Sequence, residues 1–331
     1  MSTAIQWTDE TWNPIRGCSR VSPGCENCYA ERHAARFCGP GLPFEGFAIR
    51  KLKVISDDDQ RLVPRWTGKV DLQRAMLDQP LRWRKPRRVF VNSMSDLFHE
   101  ALSDDELDEV FGVMAACQYL GKHGMPGHTF QVLTKRPARA LAYLEQDRRE
   151  RWAKVAAYRG GKYDPDGLYD MVMLGPTVLP NVHLGVSVED QPRADERIPL
   201  LMATPAEVRF LSVEPMLGPV GVRRYLPDRR LDWVIAGGES GPGARDCEVP
   251  WIRSIVEQCR AAGVPCFVKQ LGARALARSS DDEEDNLWSA VDASENGHPG
   301  YPYYLPLRST KGGDPGEWPK DLRVREFPRG R

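Results

Sequence analysis

The sequence of 331 residues predicts an α/β protein built on a parallel sheet. Three observations lead there. Short apolar, β-branched runs recur along the chain, helical patterns lie between them, and each run passes at its C-terminal end into polar residues. Strand–helix–strand units in series give a parallel sheet with right-handed crossovers, wound open or curled into a full or partial barrel.

The first strand candidate is RVFVNSMSD at 88–96. Ser103-Asp104-Asp105-Glu106 then forms a capping box, with Leu102 and Leu107 placed as a hydrophobic staple. The helix it starts carries Leu107, Val110, Phe111, Met114 and Cys117 at helical spacing. Further strands follow at 129–136 (TFQVLTKR), 181–190 (NVHLGVSVED), 207–215 (EVRFLSVEP) and 231–240 (LDWVIAGGES). Pro250 suits the first turn of another helix, whose stripe of Ile252, Ile255, Val256 and Cys259 is ended by Gly263 and Pro265. The last strand candidate is VPCFVKQ at 264–270. All are short and mostly apolar, as strands covered on both faces should be.

The strand ends are Ser93, Ser95 and Asp96; Thr134, Lys135 and Arg136; Ser187 and Glu189; Ser212 and Glu214; Glu239 and Ser240; Lys269 and Gln270. In barrels the carboxyl ends of the strands build the active site. Six polar ends in succession predict a ligand-lined face. Residues 273–331 read differently, first acidic and polar, then rich in Pro, Gly and aromatics. They are expected to form an irregular C-terminal extension to a domain at 1–272.

Lys plus Arg and Asp plus Glu both total 46, and the pI is near 7.0. That balance argues against a protein that passively coats nucleic acid, which needs a cationic excess. The N-terminus MSTAIQWTDETWN lacks the basic and apolar regions of a secretory signal, and no apolar run is long enough for a membrane span. The expectation is a cytoplasmic protein with no membrane partner. In a reducing compartment, clustered cysteines are metal ligands or catalytic groups more often than disulfides.

Cys18, Cys25 and Cys28 fall within eleven positions, in the polar loop RGCSRVSPGCENCYAERH. Two metal chemistries suit them. Zinc wants four ligands, so His33 or Cys38 would complete the site, with one histidine or a fourth cysteine, in a binding or adaptor protein. An iron–sulfur cluster also takes thiolates, and three cysteines on a 4Fe–4S cluster leave one iron open to a cofactor or substrate.

Together with LTKRP, GVSVE, SVEPMLGPV and GGESGPGAR, the segment TWNPIRGCSRVSPGCENCYAERH resembles a phage-encoded family of uncharacterised radical S-adenosylmethionine (SAM)-like proteins, distantly similar to spore photoproduct lyase. The resemblance covers roughly residues 5–272 and touches the tail at GEWP and LRVREFP. It departs from the common C-x3-C-x2-C pattern: here the spacing is C-x6-C-x2-C, with Asn27 before the third cysteine and Tyr29 after it.

The resemblance implies a partial (β/α) barrel of six to seven parallel strands with an N-terminal cysteine loop and an irregular C-terminal appendage. It implies that Cys18, Cys25 and Cys28 hold three irons of a 4Fe–4S cluster, while SAM chelates the fourth. An electron from an external donor would then cleave SAM to a 5′-deoxyadenosyl radical that abstracts hydrogen from a substrate. Lys135 is expected to pair with the SAM carboxylate, and Ser93, Ser95 and Asp96 to lie by its amino group. Glu189 and Glu214 are expected towards the ribose or the substrate, and Ser187 is expected among the cofactor-binding residues. GGE at 237–239 spells the superfamily's SAM signature but follows the wrong strand, so Glu239 is either a ligand or part of a tight glycine turn. The implied substrate class is a nucleobase, nucleotide or nucleic acid, in the host cytoplasm if the protein is phage-encoded. A barrel that has lost radical activity is the remaining enzyme-fold alternative.

For a nucleic-acid substrate, Arg136, Arg245 and Lys269 are the expected phosphate contacts. The basic run RWRKPRR at 82–88 precedes a strand and is expected as a solvated surface on the opposite side. His99 and His183 are expected to be structural. Trp7, Trp12 and Tyr29 flank the cysteines, as core residues or as a stacking surface for a base.

Overall fold

A computed structural model describes residues 5–56, 59–122, 127–160, 164–226, 231–278 and 302–328. Seven strands make the main sheet: β1 (Glu10–Trp12), β2 (Arg88–Val91), β3 (Thr129–Thr134), β4 (Val182–Ser187), β5 (Val208–Val213), β6 (Trp233–Gly237) and β7 (Cys266–Gln270). Their order in the sheet is their order in the chain, and the strands run parallel. The fold is the expected partial (β/α) barrel. The expected strands all form, and β1 adds a seventh.

The helices are α1 (Tyr29–Arg36), α2 (Asp104–Lys122), α3 (Pro137–Leu144), α4 (Arg149–Arg159), α5 (Pro165–Met173), α6 (Gln191–Ala203) and α7 (Val249–Ala262). The capping box is real: Ser103 N donates to Glu106 Oε2 at 2.9 Å, and Glu106 N to Ser103 Oγ at 3.3 Å. Gly263 ends α7 with φ 65°, the left-handed cap that glycine adopts without a Cβ penalty.

The chain divides into two compact units, Met1–Val186 with Pro199–Arg209, and Ser187–Ile198 with Phe210–Arg331. In the first, α2 packs closely on α4, and a Cβ on Gly112 would stand 2.5 Å from Val155 Cβ. An antiparallel ribbon, Ala48–Ser56 with Asp59–Trp66, rests on α1. In the second unit, α7 packs on β6 and β7. Among the described residues after 272, short strands form at Ala275–Arg278 and Pro302–Tyr304, and the chain is tied to β7. Val268 N donates to Val324 O at 2.9 Å, Glu326 N to Cys266 O at 2.8 Å, and Trp318 and Leu322 are buried. Among the described residues, no helix is long and apolar enough to cross a membrane.

Candidate functional site

The cysteine loop is positioned by its glycine and by the end of β2. Gly17 has φ 89°, and a Cβ there would lie 2.0 Å from Lys69 O, so no other residue fits before Cys18. Asn13 Oδ1 accepts Ser93 Oγ at 3.1 Å and Met94 N at 3.2 Å. Ser95 Oγ donates to Ile15 O at 3.1 Å, and Gly17 bridges to Ser95. Tyr29 OH donates to Ser93 O. Thus the hydroxyls of Ser93 and Ser95, expected beside a cofactor amine, hold the cysteine loop against the sheet. Asn92, at φ 60° and buried, adds a contact from Oδ1 to Ile15 N.

All three thiols are free and half-buried. Burial and then the Asp96 charge push Cys18 up to about 12, against the opposing charge of Arg136, and the thiolate charges of Cys28 and Cys25 raise it further. Burial also raises Cys28, whereas backbone N–H groups of Glu31 and Ala30, at the start of α1, favour its thiolate. Among the described residues, no three His, Cys, Asp or Glu side chains stand as a ready-made metal grip. Neutral thiols have no reason to converge; binding a metal ion would deprotonate them and draw them in.

The two candidates for a fourth zinc ligand have other neighbours. Cys28 precedes α1 and Cys38 follows it, so the eight-residue helix, about 12 Å at 1.5 Å per residue, separates them. Cys38 Sγ donates to Ala35 O at 3.3 Å and packs among Ala34, Phe44 and Phe47. His33 is exposed, its ring 4.9 Å from that of Phe37. Three thiols are soft donors of the chemistry an iron–sulfur cluster takes.

Asp96 anchors the end of β3. Its Oδ1 accepts Thr134 Oγ1 at 2.7 Å and Phe98 N at 3.0 Å, and its Oδ2 accepts Lys135 N at 2.9 Å and Arg136 Nη1 at 3.1 Å. Arg136 also donates from Nε to both oxygens of Glu100 at 2.9 Å and from Nη2 to Ser19 Oγ at 2.8 Å. Buried between two carboxylates, Arg136 is not placed to meet a phosphate backbone. Lys135 is half-buried at the same strand end.

In the second unit, the expected strand-end residues stand in ion pairs. Glu189 Oε2 accepts Arg197 Nη1 at 3.0 Å, and the same nitrogen donates to Ser187 O at 2.8 Å. Glu214 lies 3.1 Å from Lys269 Nζ. Arg245 grips Glu239 with Nη2 to Oε1 at 2.7 Å and Nε to Oε2 at 3.0 Å. Gly238 is a close-approach glycine, since a Cβ would lie 2.2 Å from Leu271 O.

Trp7 and Trp12 are core residues, packed on Phe90 and Phe130, whereas Tyr29 is exposed. In the basic run, Arg87 pairs with Glu10 and Arg88 with Asp9, while Arg84 and Lys85 are exposed. Sequence patterns missed the tethers from Asn13 and Asn92 and the contact between Ser19 and His99. Each joins residues about eighty positions apart, and no local pattern carries such a pairing.

A family model described as a protein of unknown function (DUF5131) matches residues 2–296. No curated protein and no solved structure matches the chain.

Proposed function

We propose that this chain, which belongs to the DUF5131 family of proteins of unknown function, is a radical SAM-type enzyme with a 4Fe–4S cluster on Cys18, Cys25 and Cys28. The carrying observation is the thiol set itself: three free, half-buried cysteines on one loop tied to the end of β2, with Cys38 in an apolar cluster after α1 and His33 exposed. When bound, such a cluster supplies the electron for reductive cleavage of SAM.

The chain's own residues have definable tasks. The N–H groups at the start of α1 stabilise the Cys28 thiolate, as helix N-termini stabilise anions. Ser93, Ser95 and Asn13 fix the loop, so ligand binding need not order it from a free chain. Lys135, its backbone held by Asp96, offers a point charge to the SAM carboxylate. The exposed Tyr29 ring beside Cys28 offers a face for a base, in keeping with a nucleobase or nucleic-acid substrate.

The test is anaerobic incubation of reconstituted protein with dithionite and SAM, followed by chromatography of the nucleosides. 5′-Deoxyadenosine should form with wild type and with Cys38→Ser, and not with Cys25→Ser. Equal yields from wild type and Cys25→Ser contradict the proposal.

A further inference from the structure

Ser19 directly follows Cys18, and its hydroxyl is where two buried donors meet. His99 Nε2 stands 2.8 Å from Ser19 Oγ, and Arg136 Nη2 donates to the same oxygen at 2.8 Å. A Ser–His pair invites a nucleophile, with the imidazole taking the hydroxyl proton. The other ring nitrogen excludes that role. His99 Nδ1 accepts the backbone N–H of Ala101 at 3.1 Å, so the proton of the neutral ring sits on Nε2 and points at Ser19. Burial and the Arg136 charge both lower the His99 pKa, which keeps the ring neutral.

A serine oxygen accepts two hydrogen bonds and donates one. Both acceptor positions of Ser19 are filled, so its proton can only be given away. Among the described residues, no acceptor for that proton is found. At this half-buried position next to the first cysteine, the proton is available to a partner beyond the described residues.

We infer that Ser19 is a hydrogen-bond donor, aimed by His99 and Arg136, to a sulfur ligand of the centre held at Cys18, and that it raises the reduction potential of that centre. The inference rests on the cluster reading above. Hydrogen bonds to sulfur and nearby positive charge both favour the reduced, more negative state. His99 and Arg136 are positioning residues: without them the hydroxyl is free to turn back and donate within the protein.

An EPR-monitored redox titration of the anaerobically reconstituted full chain tests this. Ser19→Ala should lower the potential by about 59 mV, a tenfold change in a one-electron equilibrium. Ser19→Thr, which keeps the hydroxyl, should stay close to wild type. His99→Leu should move the potential in the same direction as Ser19→Ala, and His99→Gln, which retains an N–H donor, should restore most of it. If Ser19→Ala assembles no cluster, the His99 pair gives the same comparison. A Ser19→Ala protein with full iron and sulfide and an unchanged potential overturns this inference alone, as do equal potentials for His99→Leu and wild type. Wild-type protein that takes zinc and no sulfide overturns the cluster reading and this inference together.

Discussion

Arg136 and Asp96 join the ends of β3 and β2 through a 3.1 Å ion pair whose side chains are only 4% and 8% exposed. Asp96 accepts four hydrogen bonds in all, which satisfies the usual capacity of a carboxylate. The pair thus supports the cysteine loop from beneath, because Arg136 also reaches Ser19. Two strand-end residues that read as ligands in sequence are, in the fold, the foundation of the neighbouring loop.

Removing one partner should be costly. Arg136→Met leaves a buried carboxylate unpaired and should destabilise the metal-free protein by about 3–5 kcal/mol, read from urea denaturation. A loss below about 1 kcal/mol would show that Asp96 finds another partner or takes a proton cheaply.

Glu189 and Arg197 pose the same question in the second unit, with side chains 0% and 3% exposed. Glu189→Gln should cost about 3–5 kcal/mol of stability, because the guanidinium is left buried beside a neutral amide. Iron uptake per folded chain should not change. Unchanged stability with weakened SAM binding would instead make Glu189 a ligand.

Lys135→Ala should weaken SAM binding by about 1.5–3 kcal/mol, the worth of a hydrogen bond to a charged group, in equilibrium dialysis against labelled SAM. The cluster should still assemble, because the contact with Asp96 is made by the Lys135 backbone. Equal affinity in the two proteins would remove Lys135 from the site.

His99 gives a pH signature. Burial, then the Arg136 charge, hold its pKa below the ordinary 6.5. The unfolded chain therefore binds the proton more readily than the folded one, and stability rises with pH in that window. The contribution is fully present above about pH 6.5 and is lost as pH falls towards the lower folded value. His99→Gln should flatten the acid side of the stability profile of the metal-free protein. An identical slope in both proteins would contradict the assignment of a buried, neutral ring.

The parallel sheet was legible because its strands are short Val- and Phe-rich runs, and α2 and α7 because Ser103, Glu106 and Gly263 mark their ends by local chemistry. β1 was not legible: its three residues, Glu10–Trp12, gain their extended form from pairing with Val89, Phe90 and Val91, far along the chain. The location of the strand-end residues was readable too, since polar residues must follow apolar strands into the open. Their partners were not. Glu239 finds Arg245 in its own loop, but Glu214 meets Lys269 fifty-five positions away, and only the folded sheet brings those two ends together. For the cysteines, spacing grouped Cys18, Cys25 and Cys28 in one loop, while the place of Cys38 beyond α1 had to come from the helix between them.

The central claim is a three-cysteine iron–sulfur centre, and the most direct measurement is iron, zinc and acid-labile sulfide per chain after anaerobic reconstitution. The account predicts a brown protein with about four irons and four sulfides, retained in Cys38→Ser and lost in Cys25→Ser. One tightly bound zinc with no sulfide would contradict it.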